Sequence, residues 1–255
     1  MNSLKERRFS LSVDAKACIP ALVSIVILFA FGQILKDGFA SSRNIASILT
    51  QAGLLVIISV GQAIVFFAGN CGIDLSVGAF VSMGALIGAK YMDGSNALIP
   101  LGIVIALAFG AAFGLINGLG IQFLRIPALA MTLAMSSVVN GFTMWYTDGL
   151  PQAKIPPALA SVGRALFGQV RPMMLLALVV IIVMELIMRR TRFGRSIYMV
   201  GSSRQAATLC GINMNLISVL AYTISGALSC VGGLLFIGYV GAGQLGMGED
   251  YTMQT

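Results

Sequence analysis

The sequence has no histidine, a single tryptophan and few charges, with only 10% of its 255 residues being Asp, Glu, Lys or Arg. Without histidine, neither an HExxH metalloprotease pattern nor a Ser-His-Asp triad can be assembled, and no catalytic residue or metal ligand is expected. The four cysteines, Cys18, Cys71, Cys210 and Cys230, form no CxxC pair. They point to neither a zinc site nor a disulfide framework and read as small apolar filler. A soluble domain carries about 25% charged residues. At 10% charged, 58% hydrophobic and a mean hydropathy of +0.93, this chain cannot coat a water-facing surface. The expected fold class is all-α, a polytopic transmembrane helical bundle. No G-x-x-x-x-G-K-[ST] phosphate loop occurs. At about 20 residues per crossing helix, roughly seven or eight spans consume the length, which excludes a built-in nucleotide-hydrolysing domain.

What is present is long apolar runs. They predict seven crossings, at residues 17–35, 45–67, 75–89, 97–119, 127–146, 172–188 and 216–238, the third being short. The first run is too long for a signal-peptide core, so it reads as a retained helix behind a cytoplasmic segment, 1–16, with residues 17–255 forming one membrane domain. With the N-terminus in the cytoplasm, Lys5, Arg7, Arg8, Lys16, Arg125, Arg189, Arg190, Arg192, Arg195 and Arg204 fall inside, ten of the sixteen basic residues. Cytoplasmic loops hold the excess of Lys and Arg. The net charge of +7 is therefore a matter of topology, and no nucleic-acid partner is expected. Residues 147–171, with Pro151, Pro156 and Pro157, predict an irregular outer connection with one short helix. No repeat, linker or low-complexity segment is evident.

Glycines and isolated polar groups punctuate the runs. Gly110, Gly114 and Gly118, and Gly84 with Gly88, recur every four residues and predict flat packing stripes, for contacts within the chain in preference to a homodimer. The segment Gly69-Asn70-Cys71-Gly72-Ile73-Asp74-Leu75-Ser76-Val77-Gly78 breaks the apolar pattern beside an acid. Asp74 or Ser76 can cap the following helix, and a place on a transport path is the sharper alternative. Gln62, Asn117, Thr132, Ser136, Asn140 and Thr143 lie in apolar spans, where polar side chains bond across helices or line a wet path. The candidates for the translocation path or helix break are Gln62, Asn70, Gly72, Asp74, Ser76, Asn117 and Asn140. Trp145 and Tyr146 read as an interfacial belt, and Glu185 as neutralised by a nearby arginine.

Five arginines crowd residues 189–204. Here Ser202 or Ser203 can cap a short surface helix over residues 204–210, parallel to the membrane, that Gly211 ends. On charge alone the loop suits an anionic membrane lipid as well as a protein.

Three blocks carry a family resemblance: Gly72-Ile73-Asp74-Leu75-Ser76-Val77-Gly78; Gly114-Leu115-Ile116-Asn117-Gly118; and the stretch from Phe193 to Ile212 with its FGR, AA and GI elements. From about Ile45 onward the chain resembles the ribose-type permease subunits of bacterial ATP-binding-cassette sugar importers. The resemblance implies an inner-membrane permease dimer, homo- or heteromeric, importing a monosaccharide or similar small polar solute. It further implies a cytoplasmic ATPase subunit as partner, which alone uses ATP, and a periplasmic sugar-binding protein; this chain itself would bind no cofactor. Residues 189–215 would form the loop that docks on the ATPase, with Arg192, Gly194, Arg195, Gly201, Ala206, Ala207, Gly211 and Ile212 as its coupling residues. Gln205, Ser202-Ser203, Cys71 and the run Pro127 to Ala130 depart from the usual pattern. Gly248-Glu249-Asp250-Tyr251 matches a segment that further spanning helices follow in the family, so the resemblance implies a C-terminally incomplete permease. Two readings compete: an ion-gradient-driven secondary transporter, and a truncated, non-transporting membrane fragment.

Overall fold

The computed structural model describes residues 3–68, 72–166 and 168–255. Among these residues there are eleven α-helices and no strand, the one bridge being the paired backbone bonds between Gln152 and Gly243. The helices are α1 (Ser3–Leu35), α2 (Ser42–Phe67), α3 (Val77–Met92), α4 (Ile99–Phe123), α5 (Ala128–Tyr146), α6 (Pro157–Ala160), α7 (Pro172–Arg190), α8 (Arg192–Ser202), α9 (Arg204–Leu209), α10 (Met214–Val240) and α11 (Glu249–Gln254). Five are long and apolar enough to cross a membrane: α2, α4 with its preceding 3-10 turn, α5, α7 and α10. The apolar part of α1 (Ile19–Leu35) and α3 are shorter. All seven anticipated runs are thus helical, five in helices long and apolar enough to cross a membrane and two in shorter apolar stretches. At about 1.5 Å per residue, the 16 residues of α3 reach only about 24 Å, less than the hydrocarbon core. The first helix also starts earlier than expected, at Ser3.

The chain divides into two compact units, Met1–Ile48 and Leu49–Thr255. In the first, the turn after α1 is tied by Ala40 N donating to Gln33 Oε1 (2.8 Å) and Asn44 Nδ2 donating to the Phe39 carbonyl (2.6 Å).

In the second unit α3 is the innermost element, buried along nearly its whole length between α10, α4, α5 and α11. Between membrane helices the driving force is close packing, and the glycine stripes supply it. A β-carbon on Gly110 or Gly114 would strike the α10 backbone at Gly226 or Tyr222, and one on Gly118 would come within 2.7 Å of Val219 Cα. Gly84 meets the backbone of Cys230 in the same way, and Gly233 that of Val81. The stripes therefore serve contacts within the chain. Cys230 is the buried filler expected, its thiol donating to the Phe80 carbonyl, whereas Cys210 is exposed.

Where α3 and α5 end, Lys90 Nζ donates to the Tyr146 carbonyl (2.6 Å) and lies 4.9 Å from that ring's centre. Tyr146 continues into a ring cluster with Phe109, Phe142 and Trp145. Trp145 is 73% exposed, as an interfacial anchor should be. Asp93 pairs with Lys154 at 2.8 Å, and this hydrogen bond and charge hold the lysine above its ordinary range. Residues 147–171 carry α6 and one 3-10 turn (Ser161–Gly163), slightly more helix than expected.

Candidate functional site

Two constructions bear on function, both in the second unit. The first is a polar clasp at the break between α2 and α3. Asp74 is buried and accepts three hydrogen bonds: from the Ser76 backbone N–H (3.0 Å), from the Ser76 hydroxyl and, on its other oxygen, from Ser225 Oγ of α10 (3.2 Å). Asn117 of α4 donates from Nδ2 to Ser76 Oγ at 2.9 Å. The polarity is consistent along the chain of groups, because Ser76 passes its own proton to Asp74 and receives one from Asn117. Tyr222 of α10 stands over the start of the break, and a β-carbon on Gly72 would come within 2.7 Å of its hydroxyl.

This corrects the capping expectation. Ser76 occupies the N-cap position of α3 but makes no side-chain cap bond, since its hydroxyl is engaged with Asp74 and Asn117. A buried acid must be hydrogen-bonded or paired to be tolerated, and here hydroxyls and a backbone N–H do so without any cation. Hydrogen bonds contribute about 0.5–1.5 kcal/mol each and a buried group left unmatched costs more, enough to fix the irregular segment against α4 and α10.

The clasp gathers Gly72, Asp74, Ser76 and Asn117 of the candidates. Asn70, like Cys71, lies outside the described residues. Asn140 stands on α5, half-buried, with Oδ1 unpartnered. Gln62 faces a separate cavity on α2. Thr132 and Thr143 donate to carbonyls of their own helix, Ala128 O (2.9 Å) and Val139 O (2.7 Å), and Thr132 also reaches the Ile73 carbonyl in the break (3.4 Å), so the expected bonding across elements holds for Thr132 and is corrected for Thr143. The partner Ser225 and the neighbouring Tyr222 were missed. The signal available was the stripe Ser218, Tyr222, Ser225, Ser229, one helical face in an apolar span and buried throughout.

The second construction is a pair of helices between α7 and α10. Thr191 caps α8, its Oγ1 accepting from Gly194 N (3.2 Å) while donating to Ile187 O. Ser203 caps α9 by accepting from Ala206 N (3.3 Å). At its end Gly211 takes a positive φ of 71°, with Gly211 N bonded to Thr208 O and Ile212 N to Ala207 O, a Schellman stop. Asn213 then caps α10. The expected α9 is present with Ser203, not Ser202, as its cap; α8 replaces what was read as loop.

Gly194, Ile197 and Val200 form the buried face of α8, and Ala207 is the buried residue of α9. Arg192, Arg195, Gly201, Ala206 and Gly211 are exposed, and Ile212 is half-buried. Gly194 allows α8 to fold tightly onto the Met188 backbone, and at Gly201 a β-carbon would come within 2.6 Å of Phe67 O. The Tyr198 ring lies 6.1 Å from that of Phe67. The helix pair thus touches the residue where α2 ends and the break begins. Leu209, which the pattern did not single out, is 89% exposed. Glu185 pairs with Arg189 one turn on, as expected.

Five long apolar helices, two shorter ones and a helix break held by buried polar groups define a multi-pass helical membrane protein. A family model described as the branched-chain amino acid transport system / permease component matches residues 44–255, and the chain belongs to that family. It is 28% identical over 224 residues to the autoinducer 2 import system permease protein LsrC of Photorhabdus luminescens, covering 88% of this chain and 66% of that protein. It is 30% identical over 240 residues to the ribose import permease protein RbsC of Escherichia coli K12, covering 91% and 73%. The chain thus spans just under two thirds of the first relative's length. No solved structure matches.

Proposed function

We propose that this chain is the membrane-spanning permease subunit of an ATP-driven importer, moving a monosaccharide or similar small polar solute across the bacterial inner membrane. Family membership and the names of its relatives, permeases for ribose and autoinducer 2 import, support the reading. The observation that carries it is the α8–α9 pair. The pair starts at the Thr191 cap and ends at the Gly211 stop, Arg192, Arg195 and Leu209 are exposed, and Tyr198 and Gly201 meet Phe67 at the end of α2. Such a unit can take a push from a partner and pass it on as a rigid body.

In this reading α8–α9 lies in the cytoplasm, as does the N-terminus, and docks on a separate ATPase subunit, the chain itself binding no nucleotide. A second permease subunit completes the membrane part, and a periplasmic binding protein delivers the solute. Both intramembrane acids are engaged locally, Asp74 by hydroxyls and Glu185 by Arg189, which favours an ATP-driven carrier over an ion-driven one. Co-purification tests the assignment. An ATPase subunit should be retained by the wild-type chain and lost with Leu209→Glu combined with Arg195→Glu. Retention undiminished by both changes would remove α8–α9 as the docking surface.

A further inference from the structure

A cavity of about 440 Å³ lies beside the helix break, bounded by Ser59, Gln62, Ala63, Phe66 and Phe67 of α2, by Thr252 of α11 and the following Thr255, with Ile73 from the break itself. Its volume is within the range of small-molecule sites, roughly 300–1,000 Å³. Among the described residues no charged side chain lines it.

The α2 wall is unusual for a membrane helix. Ile57, Ile58, Ile64 and Val65 are buried within the unit, and the opposite face, spaced i, i+3, i+4, i+7, carries Ser59, Gln62, Ala63 and Phe66. Helix α7 shows what lipid contact selects, its exposed face carrying Leu178, Ile182 and Leu186. An amide and a hydroxyl on the outer face of a spanning helix mark a wet surface, since polar groups in hydrocarbon are costly without partners. Gln62 Oε1 is itself buried and has no hydrogen-bond partner, an acceptor held ready for a donor. A buried acceptor left unmatched is destabilising, so a donor placed there is favoured.

We infer that this cavity is a subsite for a neutral, polyhydroxylated solute on the translocation route, with Gln62 accepting a solute hydroxyl. The inference rests on the permease reading and gives that reading a place for the cargo. The amide and hydroxyls match the O–H groups of a polyol, and the Phe66 and Phe67 rings, with centres 6.1 Å apart, match its C–H faces. The uncharged lining disfavours acids and amines. Phe67 also links the cavity to α8, through the Tyr198 ring and the close approach of Gly201. Movement of the cytoplasmic helix pair therefore shifts one wall of the subsite.

The test uses the full transporter complex in lipid nanodiscs, with the native cysteines replaced by alanine and a single cysteine introduced by Gln62→Cys. A hydrophilic methanethiosulfonate reagent should modify this site, as it does a Leu209→Cys control, while the lipid-facing Val179→Cys stays unreactive. D-Ribose, D-xylose or ribitol should slow the Gln62→Cys reaction, and gluconate at equal concentration should not. In transport, Gln62→Leu should raise the half-saturating D-ribose concentration about 3- to 10-fold, the equivalent of one neutral hydrogen bond, with Gln62→Asn in between. The inference is overturned if Gln62→Cys is as unreactive as Val179→Cys, or if none of the neutral polyols protects it better than gluconate. Absence of ATP-dependent uptake by the wild-type complex would instead sink the permease reading, while labelling and protection still decide whether the cavity is a wet polyol site.

Discussion

Asp74 shows how a single buried residue can tie together separate helices of a membrane protein. Its carboxylate takes up the Ser76 backbone, the Ser76 hydroxyl and Ser225 of α10, and Ser76 in turn holds Asn117 of α4. Removing one partner should be mild and removing the hub severe. Ser225→Ala is expected to cost about 1 kcal/mol and Asp74→Leu about 3–5 kcal/mol, the latter leaving several donors buried and unmatched. Thermal unfolding of the detergent-solubilised protein reads both changes, and equal effects would mean that the hub is not Asp74. Sequence reading found Asp74, Ser76 and Asn117 because polar groups stand out in apolar runs. It did not find their pairing with Ser225, which lies 151 residues from Asp74 and is joined to it only by the fold. It also offered Asp74 or Ser76 as a cap, since local spacing says nothing of the Asn117 amide on α4 that engages the Ser76 hydroxyl.

Among the elements, α3 and α8 differ most in how visible they are. The short span of α3 was legible, with its glycines marking the face that meets α10. Helix α8 was not, because Gly194 and Gly201 disfavour a helix by about 1 kcal/mol each and its arginines interrupt the apolar pattern. Packing overrides propensity there, since both glycines sit where a side chain would collide with neighbouring backbone. The cap and stop of α9 were legible, as they depend only on nearby residues. Two outcomes belong to this scale. Gly114→Leu should abolish recovery of folded protein by separating α4 from α10, whereas Val104→Leu, on an exposed part of α4, should not; size-exclusion profiles in detergent distinguish them. Gly211→Ala, forcing a side chain into a positive φ, should cost about 1 kcal/mol locally, and Gly211→Pro, which also removes the N–H bonded to Thr208, should uncouple ATP hydrolysis from uptake. Normal coupling in Gly211→Pro, measured as solute moved per ATP hydrolysed, would detach α9 from the mechanism.

At the scale of the whole molecule, composition alone settled the class, since so few charges leave no alternative to a membrane. The substrate and partners were not legible in the same way. They depend on surfaces that the linear pattern does not reveal, such as the exposed Leu209 or the unpartnered Gln62. The proposed topology rests on the cluster Arg189 to Arg204, so it predicts that Leu209→Cys in a background without other cysteines is labelled only from the cytoplasmic side of intact membranes. The central claim is that an ATPase acting on α8–α9 drives solute through this chain. Its most direct test is uptake of radiolabelled D-ribose by proteoliposomes holding the complete set of subunits, with the ATPase either active or inactivated at its phosphate-binding lysine. The account predicts accumulation against a gradient with the active ATPase and none with the inactive one. Undiminished uptake with the inactive ATPase would contradict it.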